Sequence, residues 1–360
     1  MNKRIVECSI NFAPCHWRNA RETVSIDPPL EMCFTGRVRI SSSILTFSLL
    51  AGITSLSAQV PEAPPVPDSP SLRPEAAKPE KLEAAFLPGK TYRFVNKTKV
   101  RMQLPGRGIR EIAIEHQARF DSKSRGDGKE GAEVKARTER LNIEIRSGEK
   151  QYTFDSLKEE DKEKRIGKHF RASLNRWVDL TLNRDFRVVS AVEGGRAGIA
   201  SPLPGMPQFG PKELQQLVAL IPQGLPEDPV APSDEWVLKG SREVGEVGAL
   251  GFDITYRNAG AVVHEGHNCV QIDLSGRLSG DVALPSAGGS AFSGGRMDFQ
   301  GTSLRGKIIF DPMEKTIRLS EQMISMLMEL PGAPGQPPSQ IPVEQTAILR
   351  LIHVIASPQL

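Results

Sequence analysis

From Phe86 onward the chain alternates apolar and polar residues with a period of two. Tyr92 and Phe94, then Thr98, Val100, Met102 and Leu104, stand between polar neighbours. Pro105-Gly106-Arg107-Gly108 marks a turn, after which Ile112, Ile114 and Phe120 resume the alternation. Successive side chains of a strand point to opposite faces, so this spacing predicts strands with one face buried and one wet. Asp127-Gly128 and Ser147-Gly148 bracket a further run, Val134, Ala136, Thr138, Leu141, Ile143 and Ile145, and Tyr152-Thr153-Phe154 follows. Strands joined so tightly form hairpins, and hairpins build an antiparallel meander.

The mixed-charge run from Lys158 to Arg165 reads as a solvated loop or short helix. Strands return at Trp177 to Leu182 and Phe186 to Val189. The segment 211–221 is the clearest helix. Pro211 suits a first helical position, Leu214, Leu217, Val218 and Ile221 share one face, and Pro222 and Gly224 end it. A second meander follows, through Trp236, Phe252 to Tyr256, Ala261 to Val263, Val270 to Leu274, Lys307 to Phe310, Thr316 to Leu319 and Thr346 to Ile355. Loops of small residues and proline interrupt it at 285–295 and 331–340. The expected fold over 84–356 is mainly β, a large twisted antiparallel sheet or half-barrel with one or two short helices, the second meander completing the sheet of the first.

Upstream the pattern changes twice. Residues 59–83 are dominated by proline, alanine and charge and read as an extended linker. Before them, Arg37 and Arg39 precede an apolar run from Ile44 to Ile53, and Ser55-Leu56-Ser57-Ala58 supplies the small residues of a cleavage site. These are the parts of a secretory signal, too short to span a bilayer. The chain is therefore expected to be exported, to a periplasmic or extracellular space, with residues 1–58 removed and no transmembrane span left in the mature protein. Met32 begins a leader of ordinary length, which makes it the expected start of translation.

Composition narrows the function. Charged residues make up 25% of the 360 and the formal charge is +3. Residues 1–58 carry six Lys/Arg against four Asp/Glu, so the leader holds most of that excess. A nearly neutral domain lacks the basic face a nucleic-acid partner requires. Cys8, Cys15 and Cys33 precede the cleavage point, leaving Cys269 alone and unable to form an internal disulfide.

Two segments imitate known chemistry. Gly301 to Lys307 nearly matches a phosphate-binding loop, but Ile308 stands where a hydroxyl must hold magnesium, and a strand follows in place of a helix. His264, His267 and Cys269 gather metal-ligating side chains around Glu265-Gly266. Gly266 rules out the helical zinc-site spacing, and three residues along one strand would send the histidines to opposite faces, so a polar turn is the expected reading unless a hairpin brings them together. Cys269 is expected on the face opposite Val270, Ile272 and Leu274. Met323, Met326 and Met328, with Leu214, Leu217 and Val218 of the helix, are candidates for the wall of a hydrophobic groove, because methionine adapts to irregular ligands.

Gly89-Lys90-Thr91-Tyr92-Arg93-Phe94, Tyr152-Thr153-Phe154-Asp155-Ser156, Leu180-Thr181-Leu182-Asn183 with Phe186-Arg187-Val188, and Leu225-Pro226 through Pro229-Val230 before Trp236 together resemble an uncharacterised group of exported bacterial proteins, domain of unknown function 6263. That resemblance implies no activity and no site residues. In architecture the layout is also similar to the lipoprotein-carrier type of half-barrel, which holds acyl chains in its concave face, although a fold does not fix a function. The leading expectation is a non-enzymatic domain, needing no cofactor, that binds a hydrophobic ligand or an envelope protein. The alternatives are a metal-dependent hydrolase built on 264–269, and a structural protein of an assembly that docks through its strand edges.

Overall fold

The computed structural model describes residues 4–7, 79–104, 108–123, 131–171, 173–194, 209–243, 249–283, 296–330 and 337–356. The cleavage point near Ala58, the apolar run before it, the linker up to residue 78 and the loop 285–295 lie outside the described residues. Fourteen strands join in one sheet, all antiparallel except for β1 (Arg4–Glu7), which runs parallel to β8 at one edge. They continue as β2 (Lys90–Leu104), β3 (Gly108–Ser122), β4 (Ala132–Ser147), β5 (Lys150–Asp155), β6 (Val178–Leu182), β7 (Val188–Glu193), β8 (Glu235–Glu243), β9 (Ala249–His264), β10 (His267–Ser279), β11 (Asp281–Ala283), β12 (Arg296–Asp311), β13 (Thr316–Leu330) and β14 (Ser339–Ala356). The spatial order is 1-8-9-10-12-13-14-2-3-4-6-7, with β5 beside β4 and β11 beside β12. The second meander therefore closes onto the first through the pairing of β14 with β2, as the alternation predicts.

Helix α3 (Pro211–Leu220) answers to the 211–221 segment. Two short helices, α1 (Glu159–Lys162) and α2 (Arg165–Phe170), occupy the mixed-charge run, where Ile166 and Phe170 turn inward and fix what the charges alone would leave as a loop. Glu213 accepts the Gly210 N–H at 2.9 Å, so the start of α3 is capped as well as opened by proline.

The two ends of the sheet meet at α3. The helix packs on β4 and β7, while the turn after it reaches β8 and β9. The Trp236 indole N–H donates to the Gly224 carbonyl at 3.0 Å, and the Trp236 and Tyr256 rings stack 5.8 Å apart. Gly224 has a φ of +80°, and a Cβ there would lie 2.2 Å from the Tyr256 ring, so only glycine permits this approach. The sheet thus curls into an open barrel whose two edges are bridged by α3.

One end of the barrel is closed by the chain leading into β2. Glu80 and Val230 exchange backbone hydrogen bonds, Ala85 N–H donates to Lys315 O at 2.8 Å, and the Phe86 ring packs on Tyr92, Phe120 and Phe186. Leu82 belongs to the core. Packing therefore begins inside the segment 59–83 read as linker: one leucine among prolines and charges escapes a compositional reading but finds an apolar slot.

Candidate functional site

The site is the inner face of the curled sheet, and its outline follows from strand parity. Alternate residues of β2, β3, β4, β10, β13 and β14, with Leu250, Ile254 and Tyr256 of β9 and Leu304, Ile308 and Phe310 of β12, face one continuous core, to which α3 contributes Leu214, Leu217 and Val218. Met326 and Met328 face the same core. Met323 does not: it stands an odd number of residues from both, so the strand turns it to the outer face, whereas its spacing had grouped it with them. The three helix residues and two of the three methionines thus share one apolar interior.

Cross-strand register divides that interior into rows. One row, Leu304–Ile324–Gln345–Val100–Ile112–Ile145, is sealed throughout. The next, Gly306–Gln322–Ala347–Thr98–Ile114–Ile143, is half open: Gly306, Gln322, Thr98 and Ile114 keep partial exposure, as does Asn96 in the row after it. Gly306 and Ala347 thin the wall along this belt. The inner face is therefore neither uniformly packed nor uniformly apolar.

Its polar residues are of two kinds. His116 is fully satisfied. The Thr138 hydroxyl donates to the Phe209 carbonyl at 2.7 Å, so its oxygen accepts from His116 Nε2–H at 2.9 Å, which fixes the neutral Nε2–H tautomer. Burial holds this imidazole near about 3, far below its ordinary range. The chain from His116 through Thr138 to Phe209 tethers the residue just before α3 to the sheet. Gln345 is the opposite case. It is 0% exposed, and among the described residues neither its Oε1 nor its Nε2 has a hydrogen-bond partner; the buried Thr302 hydroxyl lacks one too. Arg110 also faces inward, beside Met102 toward the end of the sheet away from Phe86. Desolvation lowers its pKa, and it has an interaction partner of its own.

The hairpin of β9 and β10 lies on the outer face at the closed end. Glu265 and Gly266 form its two-residue turn, both with positive φ, and His264 pairs directly with His267 across it. The turn does bring the histidines together. Cys269 is buried on the outer face with Ile309 and Leu319, opposite Val270, Ile272 and Leu274, as alternation requires. Burial raises its thiol pKa and the Asp311 carboxylate raises it further, so the thiol is held as a poor nucleophile. Asp311 instead accepts from Arg318 Nε at 2.7 Å and lies 3.6 Å from His267 Nδ1. Among the described residues no group of three or more His, Cys, Asp or Glu side chains is placed to hold a metal ion. Lys307 of the phosphate-loop imitation sits mid-strand in β12, paired with Glu321.

No family model matches the chain, so the resemblance to domain of unknown function 6263 is not confirmed, and no curated protein matches it. Among solved structures, one of lipid–protein interactions in lipovitellin aligns with 76% of this chain and 26% of its own at 10% identity and a TM-score of 0.39. The chain thus spans about a quarter of that protein. A DUF1329 family protein from Desulfovibrio piger covers 74% of this chain and 87% of its own at 9% identity, TM-score 0.15. An outer membrane lipoprotein-sorting protein domain from Vibrio parahaemolyticus covers 74% and 86% at 6% identity, TM-score 0.12. Scores this low do not establish a shared fold. Among the described residues no helix is long and apolar enough to cross a membrane.

Proposed function

We propose that this is an exported carrier or sensor domain that binds a hydrophobic small molecule between the inner face of its sheet and helix α3. The half-open belt carries the reading: Thr98, Ile114, Gln322 and Gly306 keep partial exposure, with Asn96 beyond them, while the row that holds Gln345 is sealed. A sheet packed only for stability would bury that row with the rest, since interiors are close-packed. The apolar surround and a few polar groups match the make-up of small-molecule sites. Among the described residues the Thr138 hydroxyl beside His116 donates to the Phe209 carbonyl and burial keeps the Cys269 thiol protonated, so binding is favoured over catalysis.

Native mass spectrometry of the full exported chain, with organic extraction of the same sample, tests this. The expected result is one apolar molecule per protein, or, for a protein stripped of it, saturable one-to-one binding of the neutral dye N-phenyl-1-naphthylamine. A stripped protein that neither carries an extractable molecule nor takes up the dye would overturn the proposal.

A further inference from the structure

Gln345 is out of place in its strand. The inward positions of β14 run Ile341, Val343, Gln345, Ala347, Leu349, Leu351, all buried and all apolar but one. A carboxamide withdrawn from water without a partner is costly, and buried polar groups of native proteins are nearly always hydrogen-bonded. Here both amide atoms are unpartnered, and so is the Thr302 hydroxyl two strands away on the same face. Next to Gln345 on the inner face of its own strand is the small Ala347, which pairs with the half-open Thr98 and Gln322. An unsatisfied donor and acceptor therefore stand at the margin of the belt.

From this juxtaposition we infer that Gln345 reads the polar end of the bound molecule, and that this end is a neutral group that both donates and accepts a hydrogen bond. Oε1 requires a donor and Nε2 an acceptor, so a hydroxyl or carboxamide satisfies the side chain whereas a methyl ester satisfies half of it and a hydrocarbon none. A charged head is disfavoured. Gln345 brings no compensating charge, and the inward cation Arg110, one row further from the Phe86 end on β3, already has its own partner. The ligand is thus an apolar molecule with one neutral hydrogen-bonding terminus. This rests on the reading of the inner face as a binding site.

A chain-matched series separates the two. Displacement of N-phenyl-1-naphthylamine from the full exported chain by decan-1-ol, decanamide, methyl decanoate and decane is measured for the wild type and for Gln345→Met, which preserves shape and removes both polar atoms. The wild type is expected to prefer the alcohol and amide over decane by about tenfold, the equivalent of one well-made buried hydrogen bond. Gln345→Met should lose this preference for the alcohol and amide. The variant has a second readout that needs no ligand: its empty form should melt higher than the empty wild type by about 4 °C, because an unpaired polar group has been removed. Equal binding of all four probes by the wild type, or a lower melting temperature for Gln345→Met, overturns this inference while leaving the binding site intact. Failure of every probe and of the dye instead overturns the site itself.

Discussion

Between pH 7.5 and pH 5 the protein is expected to lose about 2 kcal/mol of stability through His116 alone. The unfolded chain binds a proton at an ordinary imidazole, near 6.5, whereas the buried ring resists it down to about 3. Between those values the unfolded state carries more protons, so stability rises with pH across the window and falls as the solution is acidified. Above pH 7 both states are neutral and the effect vanishes. Urea denaturation at the two pH values measures the total loss. The share owed to this ring is the part removed by His116→Gln, which can still donate to Thr138. An acid slope unchanged in that variant would count against the assignment. The consequence also bears on the site. An opening that lifts α3 and breaks the Thr138–Phe209 link exposes His116 to protonation, so acidification should lower the free energy of that local opening. Hydrogen exchange at the α3 amides would show this as a smaller protection factor at pH 5 than at pH 7.5.

Most of the sheet is legible in the sequence because its inward positions are apolar and its turns are spelled by glycine and asparagine. The alternation places nearly every strand, and it places Cys269 on the correct face. It falls short where long-range pairing, and not local pattern, decides. Met323 looks equivalent to Met326 and Met328 until register turns it outward. His264 and His267 look opposed until a two-residue turn sets them across from each other. Arg318 reads as a polar residue between Ile317 and Leu319, yet the register slips there, Ile309 meeting Leu319 and Phe310 meeting Ile317, and the extra residue delivers its guanidinium to Asp311. Gln345 was legible in principle, as a glutamine in an apolar slot of a strand that otherwise obeys alternation. What the sequence does not reveal is that no other residue comes to meet it. That depends on what lies across the barrel.

Removing Asp311 should be the most damaging single change at the closed end, costing about 3–5 kcal/mol as Asp311→Ala. The carboxylate is 1% exposed and makes three hydrogen bonds: from Arg318 Nε at 2.7 Å, and from the backbone N–H groups of Met313 and Glu314 at 3.0 Å each. Truncation strands a buried guanidinium and undoes the turn between β12 and β13 at once. Asp311→Asn keeps an oxygen for the two amides and loses only the charge, so it should cost less than the alanine. Pairing the asparagine with Arg318→Met should recover part of the loss, since the surviving unpaired charge is most of the penalty. Urea melts of the three variants give the comparison, and equal costs for the alanine and the asparagine would show that the turn-capping bonds contribute nothing beyond the ion pair. The damage should also travel. The same turn presents the Lys315 carbonyl that holds Ala85, and Glu314 that pairs with Lys90 at 2.6 Å, so the strap closing the barrel's lower end depends on Asp311 for its seat. Faster exchange of the Ala85 amide in Asp311→Ala than in Asp311→Asn, with the β2–β3 pairing still protected, is the expected sign that the floor opens while the walls remain.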